Sequence, residues 1–366
     1  MLFEYIIAIA IVAVYIWLIY FAIKGGNMTI GFLVAGIGWT AITIFAFKSG
    51  LLSPEFVAAN QAAVDKPVLS TLNTLFQDGI RGQGGLAVDI IIGAWFGAVL
   101  KETGIATTVI RKVVELGGDR PVVVATLLSL AVSAMFTSIF GIGAVIALGV
   151  IVLPILFSLG VSRITATISY LFSVAAGLFL NPVLNVGSFK TYTVDANGIP
   201  QYTFEQYASE YGWIAMVIAT VFVAGMTFIT VRKESKRKAW AAPVDNLETE
   251  TQKVPGIALI IPFLPTLAIL ILKTENIPTF LLFGFLALFI CGRGKGLKML
   301  GDNYSKTLYN GIVDSASLIA FLMMLAMVTK SIGAAQPFIS LLLEPIIPLN
   351  QPLLITIAVA VLAPLA

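Results

Sequence analysis

The sequence predicts an all-α, polytopic membrane protein with inverted repeats, a re-entrant hairpin, broken helices and an incomplete second repeat. Hydrophobic residues make up 58% of the 366-residue chain and charged residues only 11%, whereas soluble domains carry about a quarter charged residues. Several apolar runs reach the roughly 20 residues that cross a ~30 Å hydrocarbon layer as a helix. Short motifs also recur between two halves of opposite predicted orientation. Lipid must therefore cover most of this apolar surface.

The predicted spans are helices, because backbone groups in lipid need partners within their own segment and the alternating pattern of membrane barrel strands is missing. In order, the apolar runs lie at about 2–23, 29–47, 85–100, 121–139, 143–159, 164–185, 211–231, 257–272, 277–291 and 313–328, with an unfinished run from 352. The first run has no preceding basic region and contains Glu4, which does not fit a cleavable signal.

The composition also excludes several kinds of chemistry. The chain has no histidine and a single cysteine, Cys291, which removes histidine acid–base chemistry, histidine metal sites, Cys/His nucleophiles and internal disulfides. We therefore expect a protein that is not an enzyme and holds no metal centre or cofactor, apart from Na⁺ or H⁺ as a transported ion. Basic residues in the connecting segments indicate membrane orientation rather than nucleic-acid binding.

The basic residues set the predicted orientation in a cell membrane. The densest basic cluster follows the 211–231 run and should be cytoplasmic; it contains Arg232, Lys233, Lys236, Arg237 and Lys238. The acidic loop at 186–210 then lies outside. With this orientation, segment 101–120 lies on the cytoplasmic side of the membrane. Segment 48–84 and the amino terminus then lie on the external side.

A weak internal repeat divides the chain. Lys24 and Asn27 match Lys273 and Asn276, and Gly104 matches Gly333. The predicted parts are a first repeat, 1–231 (scaffold helices 2–47, interfacial arm 54–80, transport-type helices 85–231), a cytoplasmic linker, 232–256, and a partial second repeat, 257–366. Chance similarity between apolar segments is the alternative. The chain stops inside an apolar run, so we expect the second repeat to be incomplete.

Two places in the first repeat are able to interrupt a helix. One is 137–143, where glycines stand beside hydroxyl residues; it is either a short loop between two spans or the tip of a hairpin that enters and returns. The other is 177–188, where Pro182 removes a helix hydrogen bond and Asn181 and Asn185 supply amides. The alternative at the second place is a helix that ends normally at the external face.

Two carboxylates near the starts of apolar runs, Asp89 and Asp314, are candidates for coupling-ion or proton binding, because ionisable groups within membrane spans are usually functional. They are equally compatible with a structural role at a helix start.

Three segments resemble the ion transporter superfamily, with the gluconate, citrate and C4-dicarboxylate permeases as the nearest branches. They are 93–105 (GAWFGAVLKETGI), 118–121 (GDRP) and 136–154, and the motif-level match covers about 29–190. The resemblance implies a scaffold, a moving transport domain and cation-coupled carboxylate uptake in a homodimer. It places the hairpin tip on Thr137, Ser138, Gly141 and Gly143, and the broken helix on Asn181, Pro182, Asn185 and Ser188. The Ser-Asn-Thr tip of the dicarboxylate/sodium branch does not occur at the first tip.

Three functions follow as hypotheses. The first is a secondary transporter that moves a small organic anion by alternating access, coupled to Na⁺ or H⁺. The second is a Na⁺/H⁺ antiporter of related architecture, in which Asp89 and Asp314 are essential. The third is a non-transporting membrane scaffold or gate module, for which 137–143 and 181–188 should be continuous helix or loosely packed.

Overall fold

A computed structural model describes residues 2–118, 120–193, 201–234, 254–292 and 296–343, and no strand occurs in these ranges. In chain order the helices are α1 (Leu2–Ile23), α2 (Met28–Lys48), α3 (Pro54–Ala59), α4 (Gln61–Asp65), α5 (Val68–Leu72), α6 (Gly79–Arg81), α7 (Gly84–Glu102), α8 (Ile105–Gly117), α9 (Pro121–Met135), α10 (Ile142–Ser158), α11 (Arg163–Leu178), α12 (Pro182–Tyr192), α13 (Phe204–Tyr207), α14 (Trp213–Glu234), α15 (Leu264–Leu272), α16 (Asn276–Cys291) and α17 (Gly296–Leu343). Wide π turns join α5 to α6 and α13 to α14, and a 3-10 segment, Gly256–Phe263, precedes α15.

The helices indicate a multi-pass membrane protein. Within the described residues, five continuous helical stretches are long and apolar enough to cross a membrane. They are Leu2–Ile23, Met28–Lys48, Val68–Glu102, Phe204–Glu234 and Lys298–Leu342. A sixth span results if the bent pair α11 and α12 is counted as one.

Apolar side chains on these helices face outward, as expected for contact with lipid. In α14, Val217, Ile218, Val221 and Phe222 are all exposed. Because water would penalise such a surface, a bilayer is the environment that stabilises it.

The chain divides into two compact units. One contains the described residues up to Gly84 together with those from Leu318 onward, and the other runs from Gly85 to Ser317. The division after Gly84 coincides with the place where the sequence changes from the predicted arm, 54–80, to the transport-type helices, 85–231.

In the first unit, α1 and α2 form a helical hairpin. Asn27 caps the start of α2 by accepting a hydrogen bond from the Thr29 amide, and the Trp39 indole donates to the carbonyl of Ile11 at 2.9 Å. The later part of α17 packs on α2, where the Thr40 and Ser331 hydroxyls lie 3.0 Å apart. Hydroxyl contacts of this kind hold helices together in lipid, where the hydrophobic effect does not drive helix association.

In the second unit, α9, α11 and α14 pack against one another. Buried hydroxyls join all three: Thr227 of α14 donates to Ser169 of α11 at 2.9 Å and lies 3.3 Å from Ser129 of α9. At the end of α14, the Glu234 carboxylate accepts from the amide and the hydroxyl of Ser162, the N-cap residue of α11. The end of α14 and the start of α11 are therefore at the same end of this unit.

The helices do not coincide with all of the predicted boundaries. Within the predicted arm, 54–80, α3 and α4 are short, and the chain from Val68 runs without interruption into α7, ending at Glu102. Helix α14 continues to Glu234, through the first three residues of the predicted linker. The rest of the predicted linker up to 253, with most of its basic cluster, lies outside the described residues.

The apolar run predicted at 313–328 is only part of a longer helix, because α17 runs from Gly296 to Leu343. The matched glycines differ accordingly: Gly104 has a left-handed φ of 72° between α7 and α8, whereas Gly333 lies inside α17. The inverted repeat therefore stays a prediction, and the apolar run from 352 lies outside the described residues.

Candidate functional site

The two predicted interruptions meet. Between α9 and α10 the residues 136–141 are not helical, and between α11 and α12 the chain turns at 179–181. The side-chain amide of Asn181 donates to the carbonyls of Phe136 at 2.8 Å and of Ile139 at 2.9 Å. Asn181 is completely buried. One side chain therefore holds both interruptions in a single place, which we call the junction.

Local chemistry explains each interruption. Gly141, the N-cap residue of α10, has a φ of 105°, and a Cβ there would lie 3.2 Å from the Cβ of Ala94; only glycine adopts this backbone readily. Pro182 occupies the first position of α12, where its lack of an N–H costs nothing. Asn181 caps α12 by accepting from the Val183 amide at 3.0 Å. The axes of α11 and α12 differ by 47°.

The helices that lead to the junction are short. With a rise of about 1.5 Å per residue, α9 and α11 extend only about 22–24 Å, less than the ~30 Å hydrocarbon layer. They pack against each other and their C-terminal ends meet at the junction. Neither α9 nor α11 alone is therefore long enough for a full span.

A change of helix type also lies at the junction, and the sequence did not lead us to expect it. The 3-10 segment before α15 gives way to α-helix at Phe263, and Thr266 follows in the first turn. Its hydroxyl donates to the Thr137 carbonyl at 2.6 Å and lies 2.7 Å from the Ser138 hydroxyl. Pro262 and Pro265 within an apolar run were the signal that could have revealed this change.

The hydrogens at this contact follow from donor counting. The single hydroxyl proton of Thr266 goes to the Thr137 carbonyl, so the Ser138 hydroxyl donates to Thr266 Oγ1 and accepts from the Thr266 amide at 3.2 Å. The hydroxyl of Thr137 itself donates to the Ala134 carbonyl. Ser138 is completely buried and Thr266 is 3% exposed, so these bonds form away from water and fix the three segments together.

Replacing Thr266 by valine should lower the free energy of unfolding by about 2 kcal/mol, because the Ser138 hydroxyl and the Thr137 carbonyl both lose a buried partner. Thermal unfolding in detergent measures the effect. Thr329→Val is the matched control, since this exposed threonine donates only to the Leu325 carbonyl of its own helix. Equal destabilisation by the two substitutions would contradict the role given to Thr266.

The predicted broken-helix residues beyond Pro182 behave differently from one another. The amide of Asn185 donates to the carbonyls of Leu178 at 3.1 Å and Asn181 at 2.9 Å, which are carbonyls at the interruption. Its Oδ1 accepts no hydrogen bond from the described residues. The hydroxyl of Ser188 donates to Leu184 of its own helix at 2.6 Å and does not reach the junction.

Helix α7 lines the junction through glycines. A Cβ on Gly93 would lie 2.5 Å from Val183 at the start of α12, and one on Gly97 would lie 2.9 Å from the Phe140 carbonyl. In the sequence, this glycine pattern contributes only to the resemblance. The structure gives the pattern a packing role, because small residues let helix backbones approach closely.

The predicted coupling residues lie at two separate places. The carboxylate of Asp314 is half-buried against Gly143, in the first turn of α10, where any Cβ would overlap it. Asp89 of α7 is 8% exposed and accepts a hydrogen bond from the Asn276 amide at 3.0 Å. Neither carboxylate bonds to the Asn181–Ser138 junction.

A cavity of about 490 Å³ lies between α7, α8 and α10, and Ile139 of the junction forms part of its wall. Ligand pockets typically measure about 300–1,000 Å³. Lys101 and Glu102 also line it. Glu102 is paired with Lys306, whereas Lys101 has no ion pair among the described residues, so its ammonium group is the unpaired charge of the cavity wall. The sequence pattern did not single out Lys101 as a binding candidate.

No protein-family model, curated protein or solved structure matches this chain.

Proposed function

We propose that the protein is a secondary active transporter that moves a small organic anion across the cell membrane by alternating access, coupled to H⁺ or Na⁺. The observation that carries the proposal involves Ile139. Its carbonyl accepts the Asn181 amide that joins the two interrupted helices, and the same residue lines the 490 Å³ cavity. Interrupted helices that meet beside a cavity are the usual way in which transporters bind solutes within the membrane.

The charges around the cavity favour an anion. Lys101 supplies an ammonium group, and the opposite charge of Glu102 is offset by Lys306. The N-terminus of α12 lies at the junction, and the positive end of its helix dipole attracts carboxylates. The corresponding end of α10 already lies beside the Asp314 carboxylate. In this proposal α9 and α10 form a re-entrant hairpin, the two repeats are inverted, and two copies associate.

Counterflow in proteoliposomes tests the proposal. Vesicles preloaded with unlabelled gluconate, citrate, succinate or lactate should accumulate at least one of these labelled anions from outside, whereas protein-free vesicles should not. No movement of any of the four would contradict the transport proposal.

Lys101→Gln should reduce counterflow of the transported anion about ten-fold at low substrate concentration, because the charge that attracts the anion is removed. Lys112→Gln is the matched control: this exposed lysine of α8 pairs with Glu115 and does not line the cavity. A similar loss in both variants would show that general surface charge, and not the cavity, governs the rate.

A Na⁺/H⁺ antiporter is the second candidate, favoured by the burial of Asp89 within a predicted span. It requires Asp89 and Asp314 for a Na⁺-driven pH change and binds no organic anion. The scaffold alternative expects continuous or loosely packed segments at 137–143 and 181–188, and the buried hydrogen bonds of Asn181 argue against it.

A further inference from the structure

A cavity of about 260 Å³ lies in the first unit, where the end of α2 meets α4, α5 and the later part of α17. Two lysines, Lys48 and Lys66, line it together with three threonines. The other lining residues are apolar: Ile44, Phe47, Ala63, Val68, Leu75 and Ala334. A mostly apolar wall with two cationic groups suits an amphiphile that carries a negative charge.

Both ammonium groups keep donors for a ligand. The Lys48 ammonium donates to the Val64 carbonyl at 2.6 Å, and the Lys66 ammonium donates to the Thr74 hydroxyl at 3.0 Å. Since an ammonium group has three N–H donors, two remain on each lysine. Neither lysine forms an ion pair among the described residues, and the neighbouring Asp65 is hydrogen-bonded within α4 instead. The two positive charges are therefore not neutralised by a carboxylate of the described structure.

The cavity lies at the depth of lipid headgroups. Helix α2 is long and apolar enough to cross a membrane and ends at Lys48, and a second such stretch begins at Val68. Both of these end residues line the cavity. Because the ends of spans lie where the hydrocarbon layer meets the polar headgroups, the cavity opens at the membrane surface and not at its centre.

An exposed stripe on α2 leads from the hydrocarbon layer to Lys48. Residues spaced three or four positions apart share one face of a helix. On α2 the exposed residues at this spacing are Ile30, Val34, Ile37, Ala41, Phe45 and Lys48. The stripe is apolar except for the lysine at its end, so an acyl chain that lies along it leads to the ammonium group.

We propose that the cavity binds the phosphate of an anionic phospholipid. Lys48 and Lys66 donate to the phosphate oxygens, and the acyl chains lie along the exposed stripe of α2. The apolar wall and the position at the ends of two spans favour a lipid over a free phosphate ion. A zwitterionic lipid is disfavoured, because its own ammonium group is repelled by the two lysines. Lipid binding here does not require that the protein be a transporter.

The bound lipid should stabilise the first unit. Lys48 belongs to α2, whereas Lys66 follows α4, so one phosphate group that accepts from both lysines joins α2 to the segment that packs on it. A ligand that binds only the folded protein raises the unfolding temperature with its concentration. Lipid-dependent stability therefore measures the binding.

Thermal unfolding of the purified chain in neutral detergent tests the site. Added phosphatidylglycerol should raise the unfolding temperature in a saturable way, whereas phosphatidylcholine with the same acyl chains and inorganic phosphate should have little effect. The double variant Lys48→Gln/Lys66→Gln should need about 25-fold more phosphatidylglycerol for the same shift, since each lysine near an anionic lipid contributes about five-fold.

Two further variants complete the test. Lys24→Gln/Lys112→Gln is the matched control, because it removes two exposed lysines that do not line the cavity, and it should respond like wild type. Ala63→Leu keeps both cavity lysines but fills part of the cavity, so it should reduce the shift by more than half; it also decides the outcome if the double lysine variant does not fold.

The inference is overturned if phosphatidylcholine or inorganic phosphate stabilises wild type as much as phosphatidylglycerol does. It is also overturned if Ala63→Leu or the folded double variant Lys48→Gln/Lys66→Gln responds like wild type, or if the control variant loses as much of the response as that double variant.

Discussion

Replacing Asn181 by alanine should lower the free energy of unfolding by about 3 kcal/mol and abolish counterflow. The substitution leaves the buried carbonyls of Phe136 and Ile139 without the amide donor and removes the N-cap of α12. A buried group that loses its partner costs about 1–3 kcal/mol, and a lost cap about 1 kcal/mol. Because the two interruptions are then no longer tied together, we expect the solute site to be lost with the stability.

Thermal unfolding in detergent and counterflow in proteoliposomes measure the two effects. Asn60→Ala is the matched control, since the Asn60 amide donates only to the Phe56 carbonyl one turn earlier. Asn181→Asp keeps the oxygen that caps α12 but places a carboxylate oxygen against two carbonyls, so it should be at least as harmful as alanine. An aspartate variant as stable as wild type would show that the amide donors do not hold the junction.

Replacing Gly177 by alanine should destabilise the second unit by about 3 kcal/mol or more, because the added methyl group has no space. Its Cβ would overlap the Ser133 carbonyl oxygen and lie 2.8 Å from Phe136 Cβ and 2.9 Å from the Phe136 carbonyl carbon. Backbone atoms cannot move aside as the end of a long side chain can, so α11 must separate from α9 just before the junction.

Gly225→Ala provides the control for this prediction. Gly225 lies inside α14, and a Cβ there would meet nothing within 4 Å. Since alanine is the better helix former by about 1 kcal/mol, this variant should be neutral or slightly stabilised. Size-exclusion chromatography and thermal unfolding compare the two proteins, and similar behaviour of both would mean that α11 and α9 are not in close contact at Gly177.

The amino-acid sequence predicted where the chain breaks. Gly141 and Pro182 act on their own backbone through a positive φ and a missing N–H, so local chemistry was enough to place both interruptions. The sequence pattern did not predict the length of α17. The apolar run at 313–328 is only part of this helix, which extends from Gly296 to Leu343, because a helix needs only acceptable backbone angles and not a constant surface.

The sequence did not indicate which interruptions and polar groups meet. Thr266 is hydrogen-bonded to Ser138, which lies 128 residues away in the sequence. Asn276 is hydrogen-bonded to Asp89, which lies 187 residues away. Helices that are apolar on nearly all sides carry little information about which neighbour each face contacts, since lipid and protein are almost equally apolar surroundings. The contact between Asp89 and Asn276 and the cavity position of Lys101 therefore emerged only from the folded structure.

By itself, the sequence determined the class of protein, the main helices and the local causes of two interruptions, because composition and backbone chemistry act within one segment. Only the tertiary structure showed that the two interruptions and the start of α15 share one buried junction. That arrangement depends on hydrogen bonds between distant segments, which form where side-chain shape and glycine contacts let the helices approach.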